Sequence, residues 1–251
     1  MEENSKDNTA SDLEERWKNG DRDPEFLMSY LKTLTASYKA DDANNVAEAI
    51  LEGKEETFAD DPQLRDIFMR NITNPFSKSF IAVAKNPSML TEKIGDALVN
   101  MKVDNVLNNY SRQLIIEEDG NATLDEEKFN KFKDLLSDLK IANANHYILS
   151  TQITLAGKQK DFDSYINYIK KYLKDKSIDA DDMQVANWVK PFSDPTVKQE
   201  YKTAMQKILK ARIADIKAGK RQAMNKIGNM KLSIPTDELL QKLVDVLGGE
   251  Q

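Results

Sequence analysis

The sequence predicts an all-α fold built from antiparallel helical hairpins. Two observations support this prediction: five of the seven prolines follow Asp or Asn, and the stretches between them repeat apolar residues at helical spacing. An Asp or Asn side chain accepts hydrogen bonds from the free N–H groups of a helix's first turn, and proline fits the next position. No stretch alternates apolar and polar residues clearly enough to predict a strand, and Ile115 and Ile116 are too isolated to do so. Short connections favour antiparallel neighbours.

The predicted elements follow from these Asp/Asn-Pro pairs and from the apolar spacing between them. The Asp/Asn-Pro pairs predict helix starts at Asp23, Asp61, Asn74, Asn86 and Asp194. The predicted helices span 12–19, 24–39, 43–58, 62–72, 75–85, 87–118 (with a break near Gly95 or Lys102), 124–140, 142–157, 161–174, 180–190, 195–218, 220–229 and 235–247.

The chain is expected to divide near its longest polar break, the segment 117–122. This gives a flexible tail over 1–11, an N-terminal helical half over 12–118 and a C-terminal helical half over 119–251, with one continuous domain as the alternative. The tail is polar and lacks the apolar core of a signal peptide. It is equally the expected start of a chain from which a leader has been removed.

Composition excludes several kinds of chemistry. The 251 residues include no cysteine and one histidine, so disulfides and thiolate sites are absent and histidine-based catalysis is disfavoured. The net charge of −6 argues against nucleic acid as a partner. No apolar run approaches the ~18 residues of a membrane span. We expect a soluble chain with no cofactor, whose oligomeric state the sequence leaves open.

Two further local patterns favour structural roles. His146 has no carboxylate at helical spacing, which predicts a hydrogen-bonded, partly buried ring instead of a ligand or base. The segment 117–126 has the central glycine of a calcium loop, but its first ligand position falls on Ile115, which has no side-chain oxygen. We therefore predict an acidic turn in which Thr123 caps the next helix and Glu126 completes a capping box.

Positive charge gathers near the C-terminus. Between Lys198 and Lys231 there are ten basic and two acidic residues. A solvated helix face is the simplest interpretation, and an anion-binding surface or a dock for an acidic partner are the alternatives. The candidate partner-binding cations are Lys207, Lys210, Lys217, Lys220 and Arg221.

One predicted pair of helices, 142–157 and 161–174, resembles a tetratricopeptide repeat. The run from Lys160 to Leu173 is similar to the second helix of that repeat. Bulky Ile153, Tyr165 and Tyr172 stand where the repeat has small residues, which indicates a degenerate, TPR-like α-α superhelix. The aromatic stripes are predicted to be core. As an alternative, Tyr165, Tyr168 and Tyr172 are candidates to line a peptide-binding groove, as TPR-like surfaces do.

A second resemblance covers most of the chain. The stretch Leu13 to Phe26, continuing to Tyr30 and Leu31, resembles the start of the helical region that follows the thioredoxin domain in bacterial envelope thioredoxin-family proteins. The residues Asn187, Trp188, Asp194, Pro195, Tyr201 and Ala204 are similar to a second landmark of that region. The resemblance implies an accessory helical module in the bacterial envelope or periplasm, without the thioredoxin domain and without a catalytic residue.

The first functional hypothesis is therefore a non-catalytic interaction module that binds a protein or peptide and is accessory to a thioredoxin-family protein. The alternative is a substrate or small-molecule recognition domain with a cleft between its two helical halves. The third is an enzyme that uses carboxylates or lysines alone, which would place several acids or a lysine in such a cleft.

Overall fold

The fold, seen in a computed structural model that describes residues 9–223, 225–227, 230–232 and 236–249, is all-α, as predicted. The helices are α1 (Ala10–Lys18), α2 (Pro24–Ala36), α3 (Ala40–Leu51), α4 (Pro62–Asn71), α5 (Lys78–Lys85), α6 (Ser88–Ile94), α7 (Asp96–Gln113), α8 (Glu126–Asp138), α9 (Ala144–Lys158), α10 (Phe162–Lys174), α11 (Asp182–Asn187), α12 (Gln199–Lys217) and α13 (Asp237–Gly248). Two 3-10 turns, Phe58–Asp60 and Lys190–Ser193, join helices. Most of the predicted tail lies outside the described residues.

The chain divides into two compact units, Met1–Tyr110 and Ser111–Gln251. The first unit holds α1 to α6 and most of α7, and the second holds the remaining elements. None of the described helices is both long and apolar enough to cross a membrane.

The helix starts at Asp23 and Asp61 are confirmed, because each side chain accepts from two backbone N–H groups of the following first turn. Two other pairs, at Asn74 and Asp194, form local turns instead of helix caps. Asn74 accepts from the backbone of Phe76, and α5 begins only at Lys78. Asp194 accepts from the backbone and hydroxyl of Thr196, which closes a local turn well before α12 begins at Gln199. Asx turns of this kind compete with helix capping.

Two glycines with positive φ, Gly53 and Gly95, mark the ends of helices α3 and α6. The predicted helix 43–58 is wrong at its end, since α3 stops at Leu51 and Gly53 turns the chain with a positive φ of 72°. The predicted break near Gly95 is confirmed, because Gly95 follows α6 with φ 85°. A residue with a side chain rarely adopts this conformation, so glycine marks these stops.

The prediction that the chain lacks strands is wrong. Strands β1 (Ile115–Glu118) and β2 (Asn121–Leu124) form an antiparallel hairpin in the place of the helix end and the acidic turn. Asp119 and Gly120 both have positive φ, which is the two-residue turn that matches strand twist. Thr123 of β2 therefore pairs with Ile116 of β1, and Asp125 caps α8 instead.

The predicted helix 220–229 is also wrong. Strand β3 (Asn225–Ile227) pairs antiparallel with β4 (Met230–Leu232). Asn225 pairs with Leu232 and Ile227 with Met230, so this part of the predicted helix is extended.

The core of the second unit forms where α9, α10, α12 and α13 pack together. Its fully buried side chains include Ile169, Met205, Leu209 and Leu240. Helices α9 and α10 form an antiparallel hairpin joined by a short turn at Lys160. A longer connection through α11 then returns the chain to α12, so that α10 lies between α9 and α12.

Candidate partner-binding groove

Helix α10 carries the three predicted partner-binding tyrosines, and two of them are core residues. Tyr165 is 3% exposed and Tyr172 1% exposed. The Tyr165 hydroxyl donates to the backbone carbonyl of Trp188 at 2.9 Å, and burial raises the pKa of Tyr165 well above its ordinary value. Neither ring offers a surface to a partner, because each belongs to the aromatic core that the stripes predict.

The packing of α9 on α10 is close where one residue has no side chain. A Cβ atom at Gly157 would lie 3.0 Å from the ring carbon Cε2 of Tyr165. Ala156 beside it is 3% exposed. The small residues that a close helix crossing requires are therefore present on α9, one turn beyond Ile153. We call the side of α10 formed by Tyr165, Ile169 and Tyr172 its closed face.

His146 has the structural role that the sequence predicts. Its ring is partly buried, and Nδ1 lies 2.6 Å from the hydroxyl of Tyr172. That hydroxyl donates in turn to Oε1 of Gln184 at 3.0 Å. The histidine thus belongs to a hydrogen-bonded chain that ties α9 and α10 to α11. Among the described residues, no group of three His, Cys, Asp or Glu side chains could hold a metal ion.

The other side of α10, which we call its open face, meets α12 across an open groove. The floor consists of Phe162 and Ile166, which are 8% and 6% exposed. The groove has a volume of about 460 Å³. Its complete lining is Phe162, Asp163, Ile166, Asn167, Lys170, Glu200, Tyr201 and Ala204.

One wall of the groove carries polar residues of α10. Asp163, Asn167 and Lys170 are all exposed, and they follow one another at the three- and four-residue spacing of a single helix face. Over seven residues this wall extends about 10 Å, given a rise of about 1.5 Å per residue.

The opposite wall is formed by Glu200, Tyr201 and Ala204 of α12. The ring of Tyr201 lies 5.6 Å from that of Phe162, and its hydroxyl donates to Oδ2 of Asp163 at 3.1 Å, which raises the pKa of Tyr201. This aromatic residue bridges the walls at one end of the groove. Beyond it the α12 wall is formed by the small side chain of Ala204.

A buried ion pair fixes the other end of α12. Arg212 is 5% exposed and Asp182 0%, and the guanidinium Nε donates to the carboxylate. Arg212 Nη2 also donates to the backbone carbonyl of Ala180 at 2.6 Å, and Thr236 donates to the second carboxylate oxygen at 2.6 Å. Burial lowers the pKa of Arg212, and the charge of Asp182 opposes that shift. The pair ties α12 to the segment that follows α10.

The basic segment is thus divided between the interior and the surface. Arg212, which the sequence counts among the surface charges, is internal. Lys207, Lys210 and Lys217 form an exposed stripe on α12, on the side away from its buried residues. Lys220 is exposed after the helix, and Arg221 is half-buried with Nη1 3.5 Å from the carbonyl of Ala180.

Two predicted partner-binding residues, Tyr168 and Lys207, are close along their helices to residues that line the groove. Tyr168 is half-buried on α10, on a different side from Asn167, and the Lys171 Nζ lies 5.6 Å from its ring centroid. Lys207 is one turn beyond Ala204, so it continues the α12 wall. The sequence missed the groove residues themselves, because Phe162, Ile166 and Tyr201 belong to the apolar stripes that predict core.

The first unit holds two smaller cavities. One, of about 280 Å³, lies beside Trp17, whose ring is covered by the guanidinium of Arg22 at 3.7 Å. The other, of about 190 Å³, lies beside the exposed Tyr38. In the cavity beside Trp17, the aromatic face is already covered by the guanidinium of Arg22.

Lys102 is the interior lysine that an enzyme hypothesis would use. It is 8% exposed, and burial lowers its pKa to about 8. Its Nζ donates to the backbone carbonyls of Met69, at 2.9 Å, and Ile72. These carbonyls lie at the end of α4, so Lys102 caps that helix, and it lines none of the three cavities.

Several residues that carry the resemblance to thioredoxin-associated regions are packing residues. Leu13, Phe26 and Tyr30 are buried in the α1–α2 hairpin, and Trp188 packs edge-on against Tyr172 at 5.1 Å. Comparisons of the chain with known protein families, with curated proteins and with solved structures found no match.

Proposed function

We propose that this chain is a non-catalytic helical interaction module that binds a protein or peptide in the groove between α10 and α12. The observation that carries the proposal is the composition of this groove: an apolar floor between a wall of exposed polar side chains on α10 and a wall of Glu200, Tyr201 and Ala204 on α12. Peptide grooves between helices combine apolar contacts for affinity with polar rims for specificity.

The anchoring of the helices supports the proposal. The closed face of α10 and the Arg212–Asp182 pair hold α10 and α12 in fixed positions. A groove between rigid elements can bind a flexible segment without first ordering itself, and this lowers the entropic cost of association.

The partner that we propose belongs to the thioredoxin family in the bacterial envelope, and the module itself to the TPR-like class. The α9–α10 hairpin and the two sequence landmarks support this assignment. Landmark residues such as Leu13, Phe26 and Trp188 lie in the core and bear on the fold of the module, whereas Tyr201 and Ala204 line the groove. The identity of the partner is left to experiment.

A matched pair of variants tests the proposal. Ala204→Arg fills the groove from the α12 wall, and Ala214→Arg places the same side chain on an exposed position of the same helix away from the groove. The wild type and the two variants are immobilised in equal amounts. The proteins that each retains from a bacterial envelope extract are identified by mass spectrometry. We expect a thioredoxin-family protein to be retained by the wild type and by Ala214→Arg and to be lost with Ala204→Arg. Equal retention by both variants would place binding elsewhere on the chain.

A further inference from the structure

The two ends of the groove carry opposite charge. At the end where Tyr201 bridges the walls stand the carboxylates of Asp163 and Glu200. At the other end stands Lys170, about 10 Å away along α10. The buried Ile166 lies between them on the floor.

These charges remain open to a ligand. Lys170 is exposed and forms no ion pair within the described part of the chain. Asp163 accepts one hydrogen bond, from Tyr201, through one of its two oxygens. Glu200 lies 3.6 Å from Lys198 Nζ, but both side chains are about two-thirds exposed or more, and such surface pairs contribute little.

Helix direction makes the polarity consistent across both walls. Near the start of each helix, Tyr201 of α12 bonds to Asp163 of α10. Near the end of α12, Arg212 bonds to Ala180, which follows the end of α10. The two helices therefore run in the same general direction, and Lys207 on α12 extends the same basic end that Lys170 begins on α10.

From this arrangement, and resting on the proposed function, we infer that the groove selects an extended peptide segment with an apolar side chain flanked by a basic residue on one side and an acidic residue on the other. The apolar side chain contacts Phe162 and Ile166. The basic group faces Asp163 and Glu200, and the acidic group faces Lys170. In a polyproline-like backbone, residues three apart lie on one side and about 9 Å apart, which matches the separation of the groove's charges.

The charges give specificity more than affinity. An exposed ion pair contributes about 0.2–1 kcal/mol, which corresponds to roughly a 1.5- to fivefold change in Kd at each end. A segment with the wrong sign at one end loses that attraction and meets a like charge, so the discrimination against it is larger than the attraction alone.

Three synthetic peptides of one design test this inference. The bipolar peptide is acetyl-Gly-Ser-Lys-Ser-Leu-Glu-Ser-Gly-amide, and its two relatives carry Lys at both charged positions or Glu at both. Binding to the full chain is followed by amide chemical shifts, with Asn167 and Lys170 as reporters of the groove. We expect the bipolar peptide to bind at least about threefold more tightly than either relative.

Charge-swap variants make the test independent of the direction in which the peptide lies. Lys170→Glu leaves both ends acidic, so the all-Lys peptide becomes the tightest ligand. Glu200→Lys cancels the remaining charge of Asp163 at the Tyr201 end, so the bipolar peptide loses its advantage over the all-Glu peptide there. Lys171→Glu is the matched control, because it changes the same charge on the next residue of α10, outside the groove lining, and should keep the wild-type ranking.

Equal affinities for the three peptides, or the same change of ranking in Lys171→Glu as in Lys170→Glu, would overturn the inference. Absence of binding by all three peptides would overturn it as well. The proposed function is tested separately, by whether Ala204→Arg loses the protein partner that Ala214→Arg retains.

Discussion

The two sides of α10 show how one helix can serve both as core and as a binding surface. On its closed face, Tyr165 and Tyr172 are buried against α9, and their hydroxyls bond to Trp188 and Gln184. On its open face, Phe162 and Ile166 form the floor of the groove toward α12, and each keeps only a small exposed fraction, 8% and 6%.

Side-chain size at the helix crossings explains the difference. On α9, Gly157 and Ala156 let the helix approach until the Tyr165 ring is in contact with backbone. On α12, Tyr201 bridges to Asp163 at one end, while the small Ala204 leaves space beyond it. Small residues therefore lie both at the close crossing of α9 with α10 and in the wall of the groove between α10 and α12.

The largest expected effect comes from the ion pair that holds α12. Asp182→Ala leaves Arg212 charged and buried without its carboxylate, and we expect a loss of about 3–5 kcal/mol in unfolding free energy. Urea denaturation checks this value. Lys160→Ala is the control, because it removes an exposed pair with Asp194 in the same unit and should cost less than about 1 kcal/mol. Equal costs for the two variants would mean that the buried pair does not fix α12.

Removing one hydroxyl from the closed face should have an intermediate effect. Tyr165→Phe leaves the ring in place but takes the donor from the carbonyl of Trp188, and we expect a loss of about 1–2 kcal/mol. Thermal unfolding monitored by circular dichroism measures it. A variant as stable as the wild type would show that water reaches this carbonyl and that the face is not sealed.

A methyl group at the close crossing is expected to destabilise the chain slightly less. Gly→Ala inside a helix ordinarily stabilises by about 1 kcal/mol. At Gly157 the new Cβ would lie 3.0 Å from a ring that is held by the Trp188 hydrogen bond, so we expect a net loss of about 1 kcal/mol.

The same change becomes favourable once the ring is removed. In a Tyr165→Leu background, Gly157→Ala should gain stability, and a double-mutant cycle of unfolding free energies measures the reversal. If the sign were the same in both backgrounds, contact with Tyr165 would not be what limits this crossing.

The smallest effect is expected on the open face. Tyr201→Phe makes the same chemical change as Tyr165→Phe, but the hydroxyl that it removes bonds to the exposed Asp163. Because water can replace this hydrogen bond, we expect a smaller loss of stability than for Tyr165→Phe. A loss as large as that of Tyr165→Phe would indicate that the groove is closed to water and would remove the contrast between the two faces.

Local sequence signals account for most of the helices, and their failures have physical causes. The stripe of Phe162, Ile166 and Ile169 predicts α10 because its period follows from the helix itself. The β1–β2 hairpin was missed although Asp119 and Gly120 form a typical turn pair, since the strands beside them are short and only partly apolar. Turns at Lys140 and Lys160 have positive φ without glycine, so composition gives no sign of them.

The groove was harder to predict than the fold. Phe162 and Tyr201 belong to different helices, and the long connection through α11 decides how those helices meet. A stripe of apolar residues shows which side of a helix avoids water, but not whether its neighbour covers that side completely. The burial of Arg212 was hard to predict for the same reason, because its partner Asp182 is thirty residues away along the chain.

The most direct test of the central claim is site-specific photocrosslinking from α10 in intact bacterial cells. A photoreactive amino acid replaces Asn167, which lines the groove, or Lys171, which is equally exposed on another side of the same helix. We expect a discrete protein adduct from position 167 and none from position 171. Adducts of the same partner from both positions, or from 171 alone, would contradict the assignment of the groove as the binding site.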